Sequence, residues 1–239
     1  MKLPLFRPAG DSAVVLEWDW PVSPRLNSHI ISLKEQLEQA DLPGVAEAVP
    51  AYDTLLIYYD PLVIEYPHLV CEIKRLLPGV ENARARRGRT VRIPVFYGGH
   101  YGPDLGYIAS ARGISEELAV KKHSGAVYRV YALGFLPGFP YMGFVDESIA
   151  VPRRSGPRLS VPAGSVGIAG RQTGIYSLTS PGGWQIIGRT PVRLVRPESG
   201  QFLFAAGDRV IFLPVGEEAA FNDFDPDNWS DLYGPGESD

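Results

Sequence analysis

The sequence predicts an α+β domain over residues 1–85, followed by a mostly β domain over residues 90–216. Three observations carry that reading. The first eighty residues alternate apolar strand patterns with two helical repeats in the order ββαββα. A polar, arginine-rich run, ENARARRGR from Glu81 to Arg89, then marks a boundary between two apolar-patterned regions. Beyond it, the 56 residues from Gly134 to Arg189 hold 11 of the 26 glycines and 6 of the 22 prolines. Proline is fixed near φ −65° and glycine enters φ > 0, so the mixture opposes helix. Phe135, Phe139, Tyr141, Ile168, Tyr176, Trp184 and Ile186 lie in the same stretch, and so much apolar surface opposes disorder. Short strands and shaped loops around a pocket remain.

The elements follow in order. Residues 3–7 and 12–18 read as strands about a turn at Ala9-Gly10-Asp11. Ser23-Pro24 is a helix start, serine as N-cap and proline at the first helical position. Leu26, Ile30, Leu33 and Leu37 then recur at helical spacing until Pro43-Gly44. Val45 to Pro50 and Thr54 to Tyr59 are two further strands. Leu69, Ile73, Leu76 and Leu77 mark a second helix, expected to stop at Pro78-Gly79. In the second domain Val91 to Tyr97 is a strand, Pro103-Asp104-Leu105 opens a helix, and Ser115-Glu116-Glu117 caps another that ends near His123. After Val127 to Gly134 and the glycine-rich stretch, strands are expected at Val192–Val195, Phe202–Phe204 and Val210–Leu213. Their short turns fit a closed or nearly closed β-structure.

Composition bounds the function. The chain has 239 residues, 45% hydrophobic and 21% charged, enough for a sizeable core. One cysteine, Cys71, forbids an intrachain disulfide and favours a reducing compartment. No signal peptide is read at MKLPLFRPAGD and no apolar run approaches the ~18 residues of a membrane span, so a cytoplasmic location is expected. The net charge of −4 is uneven: residues 217–239 contain eight acids and no Lys or Arg, which leaves the body at +4. The acidic end is expected to be a flexible tail, and the body is not basic enough for nucleic acid.

Most catalytic motifs are absent. There is no GxxxxGK[ST] run, and Gly164-Ser165-Val166-Gly167-Ile168-Ala169-Gly170 is neither GxGxxG nor followed by a helix pattern. Ala163-Gly164-Ser165-Val166-Gly167 matches a relaxed nucleophile elbow without the helix that the motif requires. His29, His68, His100 and His123 have no metal-ligand spacing with one another or with Cys71, so no metal site is expected. What remains is cationic. Arg153, Arg154, Arg158, Arg171 and Arg189 punctuate the glycine-rich stretch, and their planar forks suit carboxylate or phosphate. Residue chemistry alone stops at an anion-binding pocket on a mostly β domain, with solvated arginines as the plainer alternative. The candidate anion site is Arg153, Arg158 and Arg189, with Trp184 as an apolar wall, Gln172 and Thr173 as polar contacts and His123 at the border. No catalytic residue is assigned. FLPGFPYMGF, Phe135 to Phe144, crowds five large apolar residues into ten positions, and Phe139 and Tyr141 are the candidate interface residues.

Five segments carry a family resemblance: GDSAVVLE at Gly10–Glu17, IPVFYGGHYGPDL at Ile93–Leu105, GFLPGFPYMG at Gly134–Gly143, the forty residues from Pro152 to Pro191, and AAGDRVIFLP at Ala205–Pro214. With them the chain resembles, from Leu3 to about Pro214, the B subunit of the bacterial ATP-dependent 5-oxoprolinase, a family also named allophanate hydrolase subunit 1 and sporulation kinase inhibitor KipI. The resemblance implies a small N-terminal α/β domain and a C-terminal cyclophilin-like β-barrel. It implies a complex with the carboxyltransferase-like C subunit and with the A subunit of that enzyme, which uses ATP to hydrolyse 5-oxo-L-proline to L-glutamate. It also implies that this chain is inactive alone, and the crowded apolar segment Phe135–Phe144 is then expected to contact the C-subunit homologue. Two other functions share the fold: inhibition of a histidine kinase in the manner of KipI, and a component of a urea or amide carboxylase.

Overall fold

The computed structural model describes residues 3–82, 88–216 and 224–233, in two compact units, Met1–Arg87 and Gly88–Asp239. The first unit follows its sequence signals closely. Strands β1 (Leu5–Pro8), β2 (Ala13–Glu17), β3 (Val45–Pro50) and β4 (Thr54–Tyr59) form an antiparallel sheet in the order β1-β2-β4-β3. Helix α1 (Pro24–Ala40) starts as read: Ser23 Oγ accepts the Leu26 N–H at 3.2 Å. Its Leu26, Ile30, Leu33 and Leu37 are buried with Val14, Leu16, Leu55 and Ile57 of the sheet and with Leu69, Ile73 and Leu77 of α2 (Tyr66–Asn82). Helix α2 does not stop at Pro78-Gly79 but continues to Asn82. Pro78 forfeits one backbone hydrogen bond near the helix end, on an exposed position, so the remaining turns carry it.

The second unit is a closed barrel of seven strands, in the order β10-β7-β6-β15-β5-β12-β9. The strands are β5 (Thr90–Tyr97), β6 (Val127–Leu133), β7 (Pro140–Gly143), β9 (Ser165–Ala169), β10 (Gln172–Ile175), β12 (Gln185–Arg189) and β15 (Arg209–Pro214). Two antiparallel ribbons stand outside it: β8 (Arg158–Val161) with β11 (Ser180–Gly182), and β13 (Val195–Arg196) with β14 (Gln201–Phe202). Helices α3 (Leu105–Arg112) and α4 (Glu116–Ser124) link β5 to β6. One pairing is parallel: β15 runs beside β5 from Arg209↔Thr90 to Pro214↔Val95. Seen from the sequence this joint is invisible, because the partners are 119 positions apart.

Pleat alternation separates two cores. Inside the barrel lie Val91, Ile93, Val130, Met142, Val166, Ile168, Ile187 and Phe212. On the outer face of β7, β10, β9 and β12 lies a second cluster of Phe139, Val161, Ala169, Tyr176, Trp184 and Ile186. Strand β9 is therefore buried at all five positions.

Two expectations change here. Val192 and Leu194 are buried in the core within irregular chain, where Leu194 O accepts the Leu203 N–H at 2.9 Å, and only Val195–Arg196 is strand. Pro191 and Pro197 bracket the stretch and withhold ladder donors. Part of the tail expected to be flexible is docked. Trp229 and Leu232 are buried in the barrel core, the Trp229 Nε1–H donates to Arg193 O at 2.8 Å, and Tyr233 bridges Val91. Its aromatic residues, not its acids, decide that outcome.

Candidate functional site

The outer cluster is built by aromatic rings meeting edge to face. Phe139 stands 5.4 Å from Trp184 and 5.3 Å from Tyr176, with interplanar angles of 83° and 86°, and 4.8 Å from Tyr141. Glycine at two positions makes room. A Cβ on Gly182 would lie 2.2 Å from the Tyr176 hydroxyl oxygen, and one on Gly174 would lie 2.9 Å from the Phe139 ring. The Arg153 guanidinium lies over Trp184, 5.8 Å from the ring centroid. Burial raises the hydroxyl pKa of Tyr141, and Arg153 partly offsets that rise. Burial likewise raises Tyr176, with backbone hydrogen bonding at Trp184 and the charges of Arg153 and Arg158 opposing it. Arg153 and Arg158 thus act on the same aromatic face.

Asp104 anchors that face. It occupies the N-cap position of α3, yet its side chain makes no cap bond. Its carboxylate is buried and turned toward the barrel. Oδ2 accepts the Ile186 N–H at 2.6 Å, and Oδ1 accepts from Arg158 Nη2 at 2.7 Å and from Arg154 Nη1 at 3.4 Å. Arg158 keeps a second donor: its Nη1 is buried and has no hydrogen-bond acceptor among the described residues. A buried unmatched donor costs about 1–3 kcal/mol. A guanidinium with one edge held by a carboxylate and the other unmet is disposed to take an anion.

Inside the barrel the geometry is different. The Thr173 hydroxyl donates to Gly167 O at 3.0 Å, so its oxygen accepts the His123 Nε2–H at 2.9 Å. His123 Nδ1 is then the acceptor for the Tyr97 hydroxyl at 2.8 Å. Burial holds the His123 pKa down to about 3, so the ring is neutral, and burial raises the Tyr97 hydroxyl well above its ordinary value.

The structure therefore divides the expected set. Arg153, Arg158 and Trp184 share the outer face. Arg189 does not join them: it is the last residue of β12, whereas Trp184 precedes the first, and its Nε donates to Ala163 O at 2.8 Å. His123 and Thr173 sit on the inner side of the sheet, with the strands between them and Trp184. Gln172 points to the opposite face of β10 from Thr173. Phe139 is 1% exposed and is core, not interface, because the outer face of the sheet is itself covered. Tyr141 is half-buried beside Trp184, and the exposed aromatics of that segment are Phe135 and Phe144. Asp104 was missed as a site residue. Its only sequence signal, an aspartate before a helix, reads equally as a cap. Among the described residues no group of three or more His, Cys, Asp or Glu could hold a metal, and no helix is long and apolar enough to cross a membrane.

Residues 4–204 match the family model of the carboxyltransferase domain, subdomain C and D. The B subunit of 5-oxoprolinase from Bacillus subtilis (strain 168) is 40% identical over 221 residues, covering 87% of this chain and 92% of that protein. The chain belongs to the 5-oxoprolinase B-subunit family. The crystal structure of TTHA0988 superposes with a TM-score of 0.75 at 40% identity, over 89% of this chain and 41% of that one. This member of the B-subunit family thus spans about two fifths of that structure's length. The urea carboxylase of Kluyveromyces lactis shares the fold, with a TM-score of 0.71 at 20% identity over 90% of this chain and 22% of that one.

Proposed function

We propose that this chain is the B subunit of an ATP-dependent 5-oxoprolinase, which with homologues of the A and C subunits hydrolyses 5-oxo-L-proline to L-glutamate. Its outer aromatic face supplies part of the anion-binding pocket. The observation that carries this reading is the Arg153–Arg158 pair beside Trp184 and Tyr141, with the Arg158 Nη1 donor buried and unmet. Opening an unstrained lactam is uphill without coupling, so ATP drives it through a phosphorylated oxygen. Both the substrate carboxylate and the growing phosphoryl charge are anions that a guanidinium fork matches. Trp184, itself buried, backs the Arg153 guanidinium from the apolar side. The domain is read as the cyclophilin-like barrel of this family, used here for binding rather than proline isomerisation.

In this reading ATP is used at the level of the complex, and the isolated chain has no turnover. A second polypeptide is needed to exclude water from the half-pocket, since electrostatic stabilisation is strong only there. Coexpression with homologues of the A and C subunits, followed by a glutamate assay with ATP and 5-oxoproline, tests the reading. Glutamate should form with all three chains and not with this chain alone. Failure of the assembled set, or activity from this chain alone, would refute it.

A further inference from the structure

The N-terminal unit contains a cavity of about 760 Å³ that no part of the proposed site uses. Trp18, Trp20, Pro21, Asp19 and Asp53 line it, and the Arg7–Glu17 ion pair, 2.9 Å, stands at its side. The walls come from neighbouring strands: Trp18 follows β2, Asp53 precedes β4, and the Trp18 N–H donates to Asp53 O at 3.0 Å. The accessible carbon surface comes from Trp20 and Pro21, with Leu3 and Leu5 at the rim and Trp18 buried beneath.

Arg7 also lines the cavity, and Glu17 engages its guanidinium at 2.9 Å. Asp53 is half-buried, and its carboxylate has no ion pair or hydrogen bond to any described residue. Trp18 is 2% exposed and its Nε1 has no hydrogen-bond partner among the described residues. A half-buried carboxylate in a cavity that Trp20 and Pro21 also line favours a cation that is weakly hydrated and clad in carbon. A hard metal ion requires several oxygen ligands, and no such group exists among the described residues.

We propose that this cavity binds a small organic ammonium ion, its charge at Asp53 and its carbon atoms against Trp20. The site is independent of the Arg153–Arg158 face.

Choline is a suitable probe, with 3,3-dimethyl-1-butanol as its neutral isostere, titrated into the full chain at constant ionic strength. Calorimetry should show saturable choline binding, at least tenfold weaker for the neutral isostere and at least tenfold weaker in Asp53→Asn. The indole N–H resonances of Trp18 and Trp20 should shift while those of Trp184 and Trp229 stay in place. Arg153→Ala should bind choline like the unaltered protein, which separates this proposal from the 5-oxoprolinase reading. Absence of saturation, equal binding of the two probes, or shifts confined to Trp184 or Trp229 would overturn it. The isostere comparison uses the unaltered protein, so it decides the matter even if Asp53→Asn fails to fold.

Discussion

Thr173 Oγ1 accepts the His123 Nε2–H at 2.9 Å, across fifty positions of sequence and wholly inside the barrel. The same hydroxyl donates to Gly167 O, so one side chain satisfies a helix-end histidine and a strand carbonyl together. Thr173→Val keeps the shape and removes both bonds. It should cost about 1–3 kcal/mol, seen as a lower urea midpoint with an unchanged slope. Thr173→Ser should recover part of that loss. A valine variant as stable as the unaltered protein would contradict the assignment.

His123 also sets a pH dependence. Its pKa is near 3 in the folded chain, against an ordinary value of about 6.5 when unfolded. Below about pH 6.5 the unfolded chain binds a proton that the native state refuses. Stability from this group is therefore full above that pH and falls as pH drops toward 3, by up to about 1.4 kcal/mol per pH unit. Denaturant unfolding at pH 7, 6 and 5 should show a steeper decline for the unaltered protein than for His123→Gln. Equal slopes would mean that the ring is not buried as a neutral base.

The elements of the first unit were legible because their signals are local. Ser23, Pro24 and the Leu26-Ile30-Leu33-Leu37 repeat define a helix within one stretch of chain, and each of those apolar residues is buried. The arrangement of the candidate site residues was not legible. Arginines in a glycine-rich stretch pointed to an anion, but which of them meet depends on strand pairing and pleat. Arg189 is the last residue of β12, and Trp184, five residues earlier, lies just before the strand begins. Thr173 and Gln172 are adjacent and on opposite faces. Phe139 looked exposed because five aromatic or apolar side chains exceed what one face of a loop buries. The sheet has two covered faces, and no local pattern announces the second.

Asp104 should be the structural support of the anion face. Asp104→Asn preserves size but leaves Arg158 and Arg154 without their countercharge, at a cost of about 1.5–3 kcal/mol. Thermal unfolding should show the loss, and Arg154→Ala should cost much less, since its contact is longer, at 3.4 Å, and more exposed. Similar melting for Asp104→Asn and the unaltered chain would show that the arginines are held by something else.

Phe139 and Phe135 should separate core from interface. Phe139→Ala empties a packed cluster and should destabilise by about 3–5 kcal/mol, so any loss of coelution with a C-subunit homologue would reflect unfolding. Phe135 is 63% exposed and holds a positive φ of 66°, which glycine adopts freely. Phe135→Gly should leave the melting temperature unchanged or slightly raised while weakening coelution. Normal coelution of Phe135→Gly would place the interface elsewhere.

The most direct test is glutamate release from 5-oxoproline and ATP by the reconstituted three-chain complex carrying Arg158→Lys or Arg153→Ala. Lysine keeps the charge but loses the fork. Both variants should assemble normally and lose at least tenfold in kcat/KM for 5-oxoproline. Unchanged kcat/KM in both assembled complexes would contradict the claim that this face holds the substrate or phosphoryl anion.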